Sequence, residues 1–242
     1  MRRRLSVLAI GLAVAATAAS PATASGGGPP VQTYSVTFTN VNDTQWFTPP
    51  VVATHNRRVD VFEPGHAASA GVREVAENGN VPFLVDALSG VRGVHDVQVG
   101  LFSGTVAPLE PGKSVTVDIT GTSKTRLLSS VSMLICTNDG FTGLDSLKLP
   151  RRIGRTVTAY ASAYDAGTEV NTENLADMVP PCQGLNGPMV DAPGSGVSDP
   201  ALYEGGVITH HAGIMGVGDL RERLHGWDVE APVLAVTITR TG

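Results

Sequence analysis

Asn138-Asp139-Gly140-Phe141-Thr142-Gly143-Leu144-Asp145-Ser146 and Tyr164-Asp165-Ala166-Gly167-Thr168-Glu169 are two acidic, glycine-bearing stretches, each directly following a run with strand character, 127–135 and 156–163. Segments of this kind hold cations. Calcium takes about six to eight oxygen ligands with little demand on geometry, so carboxylates and carbonyls from glycine-permitted turns can supply a site without His or Cys. Asp165 and Glu169 are candidate ligands from one loop, and Asp139 with Asp145 from the other. A plain hairpin would leave the two loops at opposite ends of a sheet. Residues 143–155 are long enough to run back along a strand of roughly 17–20 Å at about 3.3 Å per residue, which lets both loops reach one end.

The flanking sequence reads mostly as β-structure. In 32–40, Tyr34, Val36 and Phe38 alternate with Thr33, Ser35, Thr37 and Thr39, the period of a half-buried strand. Residues 114–120 and 232–239 repeat the pattern, 94–101 is a weaker strand, and 59–62 reads as a short edge strand. Residues 45–54 read as an irregular crossing interrupted by Pro49-Pro50. One helix is predicted over 69–78, with Ala68, Val72, Val75 and Ala76 on one stripe, Arg73, Glu74 and Glu77 outside, and Gly79 as its stop. Residues 82–88 add a second short helical turn. Strands without a βα alternation predict an all-β fold, an antiparallel β-sandwich with one or two short helices covering an end.

The order of these pieces resembles the spondin N-terminal domain family. The resemblance is carried by the strand, the Asp139 turn, Gly143-Leu144-Asp145-Ser146-Leu147, a second strand and Tyr164 to Glu169, together with Phe47-Thr48-Pro49-Pro50-Val51-Val52-Ala53-Thr54-His55 and the helical 65–79 region. It covers about 32–174. The resemblance implies a β-sandwich binding calcium through three acidic side chains, which fall on Asp139, Asp165 and Glu169, and adhesion to matrix or cell-surface partners. Two departures stand in the sequence: Glu169 where the family has aspartate, and Asn138-Asp139-Gly140 where it has Pro-Asp-Trp. Asn138, Asp145, Asn171 and Glu173 are additional candidate ligands, with Asp145 also suited to capping its neighbours.

Residues 1–24 read as an export signal: Arg2, Arg3 and Arg4, an apolar run, then Ala22-Thr23-Ala24 as a cleavage site. Residues 25–31 read as a flexible linker and 32–242 as one sandwich domain with a Pro/Gly-rich excursion at about 175–206. Removing the leader would take the formal charge from −5 to −8, since it carries three arginines and no acid. That balance disfavours nucleic acid and anionic membrane and suits cation binding. No run is long enough to favour a membrane span. An extracellular protein or glycan is the expected partner. In an exported chain the two cysteines, Cys136 and Cys182, are expected to pair.

The remaining chemistry is sparse. His210-His211 could hold a transition metal, but neighbouring residues on an extended segment face opposite ways, so only one could join a given site. No Gly-x-Ser-x-Gly, His-Glu-x-x-His, Cys-x-x-Cys or phosphate-cradling glycine loop is present. A non-catalytic calcium-binding module is therefore expected; a secreted metal-dependent hydrolase using the same carboxylates or the His210 region is the alternative.

Overall fold

The structure, a computed structural model, describes residues 29–242 except 103, 106, 186–189 and 192–193. The expected leader, most of the linker, and Pro188 and Pro193 of the excursion lie outside the described residues. The described chain forms two antiparallel sheets. Its strands are β1 (Val31–Asn40), β2 (Val51–His55), β3 (Val94–Val99), β4 (Ser114–Thr122), β5 (Leu127–Met133), β6 (Gly140–Lys148), β7 (Thr156–Ala161), β8 (Ala163–Asp165), β9 (Thr209–His210) and β10 (Leu234–Arg240). One sheet runs in the order β4-β1-β10-β7 and the other β3-β2-β5-β6-β8-β9. This is the sandwich that the alternating pattern predicts.

The alternation in β1 sets the first core. Tyr34, Val36 and Phe38 are buried while the intervening residues face out, and Val36 lies opposite both Ile238 and Val117. Val36, Phe38, Ile119, Leu234 and Val236 of the four-stranded sheet pack against Val52 and Leu128 of the six-stranded one. On the outer face, threonine hydroxyls bond across strands, Thr37 to Thr116 at 2.8 Å and Thr158 to Thr237 at 3.0 Å.

The other face of the six-stranded sheet carries a second core. Val51, Val131, Met133 and Phe141 are covered by α1 (Ala70–Asn78), α2 (Val81–Leu88) and apolar side chains of the 175–220 region, among them Leu175, Met178, Ile208 and Leu220. The helices thus cover a sheet face and not an open end. Ser69 caps α1 by accepting the Val72 N–H, and Gly79 ends it in the left-handed conformation at φ 62°. Glu77, expected on the exposed side of this helix, is buried.

Three further expectations change. Residues 45–54 are not irregular throughout, because β2 begins directly after Pro50 and all five of its residues are buried. A strand buried on both faces carries no polar alternation to read. Residues 59–62 form no strand, although Val59, Val61 and Phe62 are buried in the second core. The run 156–163 breaks at Ser162 into β7 and β8, which belong to different sheets. The Thr142 hydroxyl takes the Ser162 carbonyl at 2.8 Å where the ladder changes partners.

The segment 143–155, expected to run back along the sheet, begins as part of a strand, β6, which ends at Lys148. β6 pairs with β5 from Met133 opposite Phe141 to Leu127 opposite Lys148, and Gly140 lies opposite Asp165 on β8. Both acidic turns therefore reach one end of one sheet. Gly143 allows the β5–β6 approach, since a Cβ there would lie 1.9 Å from the Ser130 carbonyl oxygen.

Candidate functional site

The turn that leads into β6 fixes Asp139. The Thr137 hydroxyl donates to the Leu134 carbonyl at 2.6 Å and accepts the Gly140 N–H at 2.9 Å. The expected disulfide is present: Cys136 bonds Cys182, with Cα atoms 5.0 Å apart, and pins the strand end to the start of the excursion. Asp139 is fully buried in this frame.

The second turn folds onto that carboxylate. Asp139 Oδ2 accepts the Thr168 N–H at 2.7 Å, the Thr168 hydroxyl at 3.1 Å and the Glu169 N–H at 3.0 Å. Its Oδ1 is buried with no hydrogen-bond partner. Burial, then the neighbouring Asp165 carboxylate, push Asp139 up to about 7 against the pull of those N–H donors. Asp165 accepts the Gly167 N–H at 2.7 Å on one oxygen and the Asn171 amide at 2.5 Å on the other. Gly167 sits at φ 67°, and a Cβ there would lie 2.5 Å from the Val207 carbonyl oxygen, so this turn admits no side chain there.

Glu169 joins the pair through its backbone while its carboxyl lies elsewhere. Glu169 Oε1 accepts the Asp199 N–H at 3.4 Å, in a cleft of about 110 Å³ shared with Glu77 and Asp199. Burial, then Glu77, raise it to about 8, with Asp139 adding and Arg73 opposing. Glu77 is itself held by Arg73 at 2.9 Å and by the Ser198 hydroxyl. Among the described residues, no three His, Cys, Asp or Glu side chains converge as a metal-holding group. The fold thus brings Asp139 and Asp165 together and holds Glu169 beside them.

The additional candidates have structural partners. Asn138 Oδ1 accepts the Glu173 N–H at 3.2 Å while its amide donates to the Thr172 hydroxyl and the Asp177 carbonyl. Glu173, at φ 57°, accepts the Met215 and Val217 N–H groups on its two oxygens and so clamps the 215–220 segment. Asp145 lies along β6 and accepts the Ser129 hydroxyl at 2.8 Å. Asn171 donates to Asp165, as above.

The histidines face opposite ways, as their adjacency requires. His210 is exposed, 6.4 Å from the Tyr164 ring. His211 is buried 5.0 Å from Trp227; its Nδ1 accepts the Gly213 N–H at 3.0 Å, and burial holds its pKa below the ordinary value. A second histidine arrangement, around His55, was not legible in the sequence. His55 Nε2 meets Ser129 Oγ at 2.7 Å, and Ser129 bonds Asp145. A nucleophilic triad places histidine between serine and carboxylate with an accessible oxygen; here serine is the middle member and is buried.

An uncompensated buried carboxylate oxygen is costly, and a bound cation is the partner that would satisfy Asp139 Oδ1. Oxygen donors in this environment suit a hard ion such as calcium. A family model, Spondin_N, matches residues 31–177, about three fifths of the chain. No curated protein matches the chain. No helix among the described residues is long and apolar enough to cross a membrane.

Proposed function

The chain belongs to the Spondin_N family, and from that premise we propose that it is an extracellular, non-catalytic recognition module in which Asp139 and Asp165 hold a calcium ion, with Glu169 joining them when its carboxyl turns out of the cleft it shares with Glu77. The carrying observation is Asp139 Oδ1, buried without a partner beside a second carboxylate. The Cys136–Cys182 bond supports an oxidising, extracellular setting. Calcium would supply charge to the buried carboxylates and couple the β6 turn to the β8 turn, with no reaction performed. Adhesion to a matrix or surface partner is the role this arrangement would serve.

Isothermal titration of the chelator-stripped protein tests the reading. One calcium per chain is expected, with binding lost in Asp139→Ala and weakened in Asp165→Asn. Absence of calcium binding in the folded wild type would overturn it.

A further inference from the structure

At the far end of the six-stranded sheet from Asp139, the fold gathers positive charge. Arg57 and Arg58 follow β2, and Arg92 precedes β3; the Asn56 N–H donates to the Gly93 carbonyl at 2.9 Å and holds these two segments together. Lys124 and Arg126 come from the β4–β5 connection, with Lys148 and Arg151 at and beyond the end of β6. There the Leu149 N–H donates to the Arg126 carbonyl at 3.0 Å. These residues line an open cleft of about 730 Å³. β6 spans nine residues between the two ends, roughly 26 Å of strand.

The concentration is not what overall composition predicts. The chain carries a formal charge of −5, yet seven of the fourteen lysines and arginines from residue 29 onward line this cleft and no carboxylate does. The two salt bridges among the described residues, His66 with Glu63 and Arg73 with Glu77, involve none of the seven. A merely solvated face would be served as well by mixed charges, which lower self-repulsion. Arginine cannot relieve that repulsion by losing a proton, whereas an anionic ligand can.

We propose that this cleft binds an acidic polysaccharide through several of its sulfate or carboxylate groups. The volume exceeds what a single inorganic anion fills and falls in the usual range for ligand sites. Five of the seven cations are arginines, whose planar fork matches sulfate and carboxylate oxygens bidentately. No aromatic side chain lines the cleft, so it lacks the stacking platform that single-stranded nucleic acid uses. Its concave lining has Leu127 as its sole hydrophobic side chain, which gives a lipid surface nothing to insert. The site is separate from the carboxylate end and does not depend on a bound cation there.

Titration of the whole protein with heparin, polygalacturonate, neutral dextran, single-stranded DNA and phosphatidylglycerol vesicles tests this, each with calcium and with chelator. Binding of heparin or polygalacturonate is expected, stronger for whichever of sulfate or carboxylate the cleft prefers, weakening as salt rises and unchanged by chelator. Arg126→Glu with Lys148→Glu should weaken it about tenfold or more, while the charge-matched control Lys113→Glu with Arg223→Glu should not. Arg57→Gln with Arg92→Gln, which alters only exposed side chains, repeats the test should the first pair unfold. Equal loss in control and cleft variants, tighter binding to DNA or vesicles, loss of binding on chelation, or no binding to either polysaccharide would each overturn the proposal.

Discussion

The backbone N–H of Glu169 donates to the carboxylate of Asp139 at 3.0 Å, so the turn carrying one candidate ligand is folded onto another. The bond couples two turns thirty residues apart and leaves Asp139 Oδ1 as the unsatisfied atom. Its energetics depend on the protonation of Asp139.

Without metal, the fold should lose stability as pH rises. Asp139 moves from 3.8 up to about 7 and Glu169 from 4.5 up to about 8, so each favours the folded state most when protonated. That contribution is fully present below the unfolded values and disappears as pH passes through the folded ones. In chelator, the melting temperature should fall between about pH 4.5 and pH 8, more for wild type than for Asp139→Asn. Identical slopes for the two proteins would show that Asp139 is not the group responsible.

Calcium should reverse that trend. An ion bound only by the folded chain adds RT ln(1 + [L]/Kd), about 2.7 kcal/mol at a hundredfold excess over Kd. Since the ligands must be ionised, this stabilisation should grow with pH over the window in which the chelated protein weakens. Asp139→Asn keeps an oxygen for the Thr168 and Glu169 N–H groups but removes the charge, so it should melt normally in chelator and gain little from calcium. An undiminished calcium shift in this variant would move the ion elsewhere.

Reduction of Cys136–Cys182 should destabilise the fold substantially. The bond closes a separation of 46 residues, for which the chain-entropy model gives about 4 kcal/mol. Denaturant titration of the Cys136→Ser, Cys182→Ser protein measures it; an unchanged midpoint would mean that the excursion is anchored sufficiently by Leu175 and Met178 alone.

Gly143→Ala should be among the costliest small substitutions. Its Cβ would lie 1.9 Å from the Ser130 carbonyl oxygen, backbone that can move only by opening the β5–β6 ladder. A loss of about 3 kcal/mol is expected by urea unfolding. Gly154→Ala, where the added Cβ meets open space but φ is 77°, should cost less.

Glu173→Gln should loosen the 215–220 segment. Glutamine has one oxygen where glutamate offers two, so its amide would face a backbone N–H of Met215 or Val217, donor against donor. About 1–3 kcal/mol is expected. Hydrogen exchange at Met215 and Val217 should rise; unaltered protection would exclude the clamp.

The alternation of Tyr34, Val36 and Phe38 with threonines was enough to read β1, because one face meets the core and the other water. Ser69 and Gly79 likewise declared the ends of α1. β2 was not legible in the same way: Val51 to His55 is buried on both faces, and a strand covered on both sides loses its period. The break at Ser162 was equally hidden, since neighbouring residues on either side retain strand character while the hydrogen-bond partners change.

The sequence by itself determined the strands that alternate, such as β1, the cysteine pair and the acidic turns that include Asp139, Asp165 and Glu169, because alternation, cysteine count and turn chemistry are local properties of the chain. Only the tertiary structure decided that the Glu169 carboxyl lies with Glu77, that Glu173 is taken by backbone donors, and that Arg57, Arg92, Arg126 and Lys148 share one cleft. Those arrangements join residues tens of positions apart, and their proximity is set by which strands pair and in what register, information that no single stretch of sequence contains.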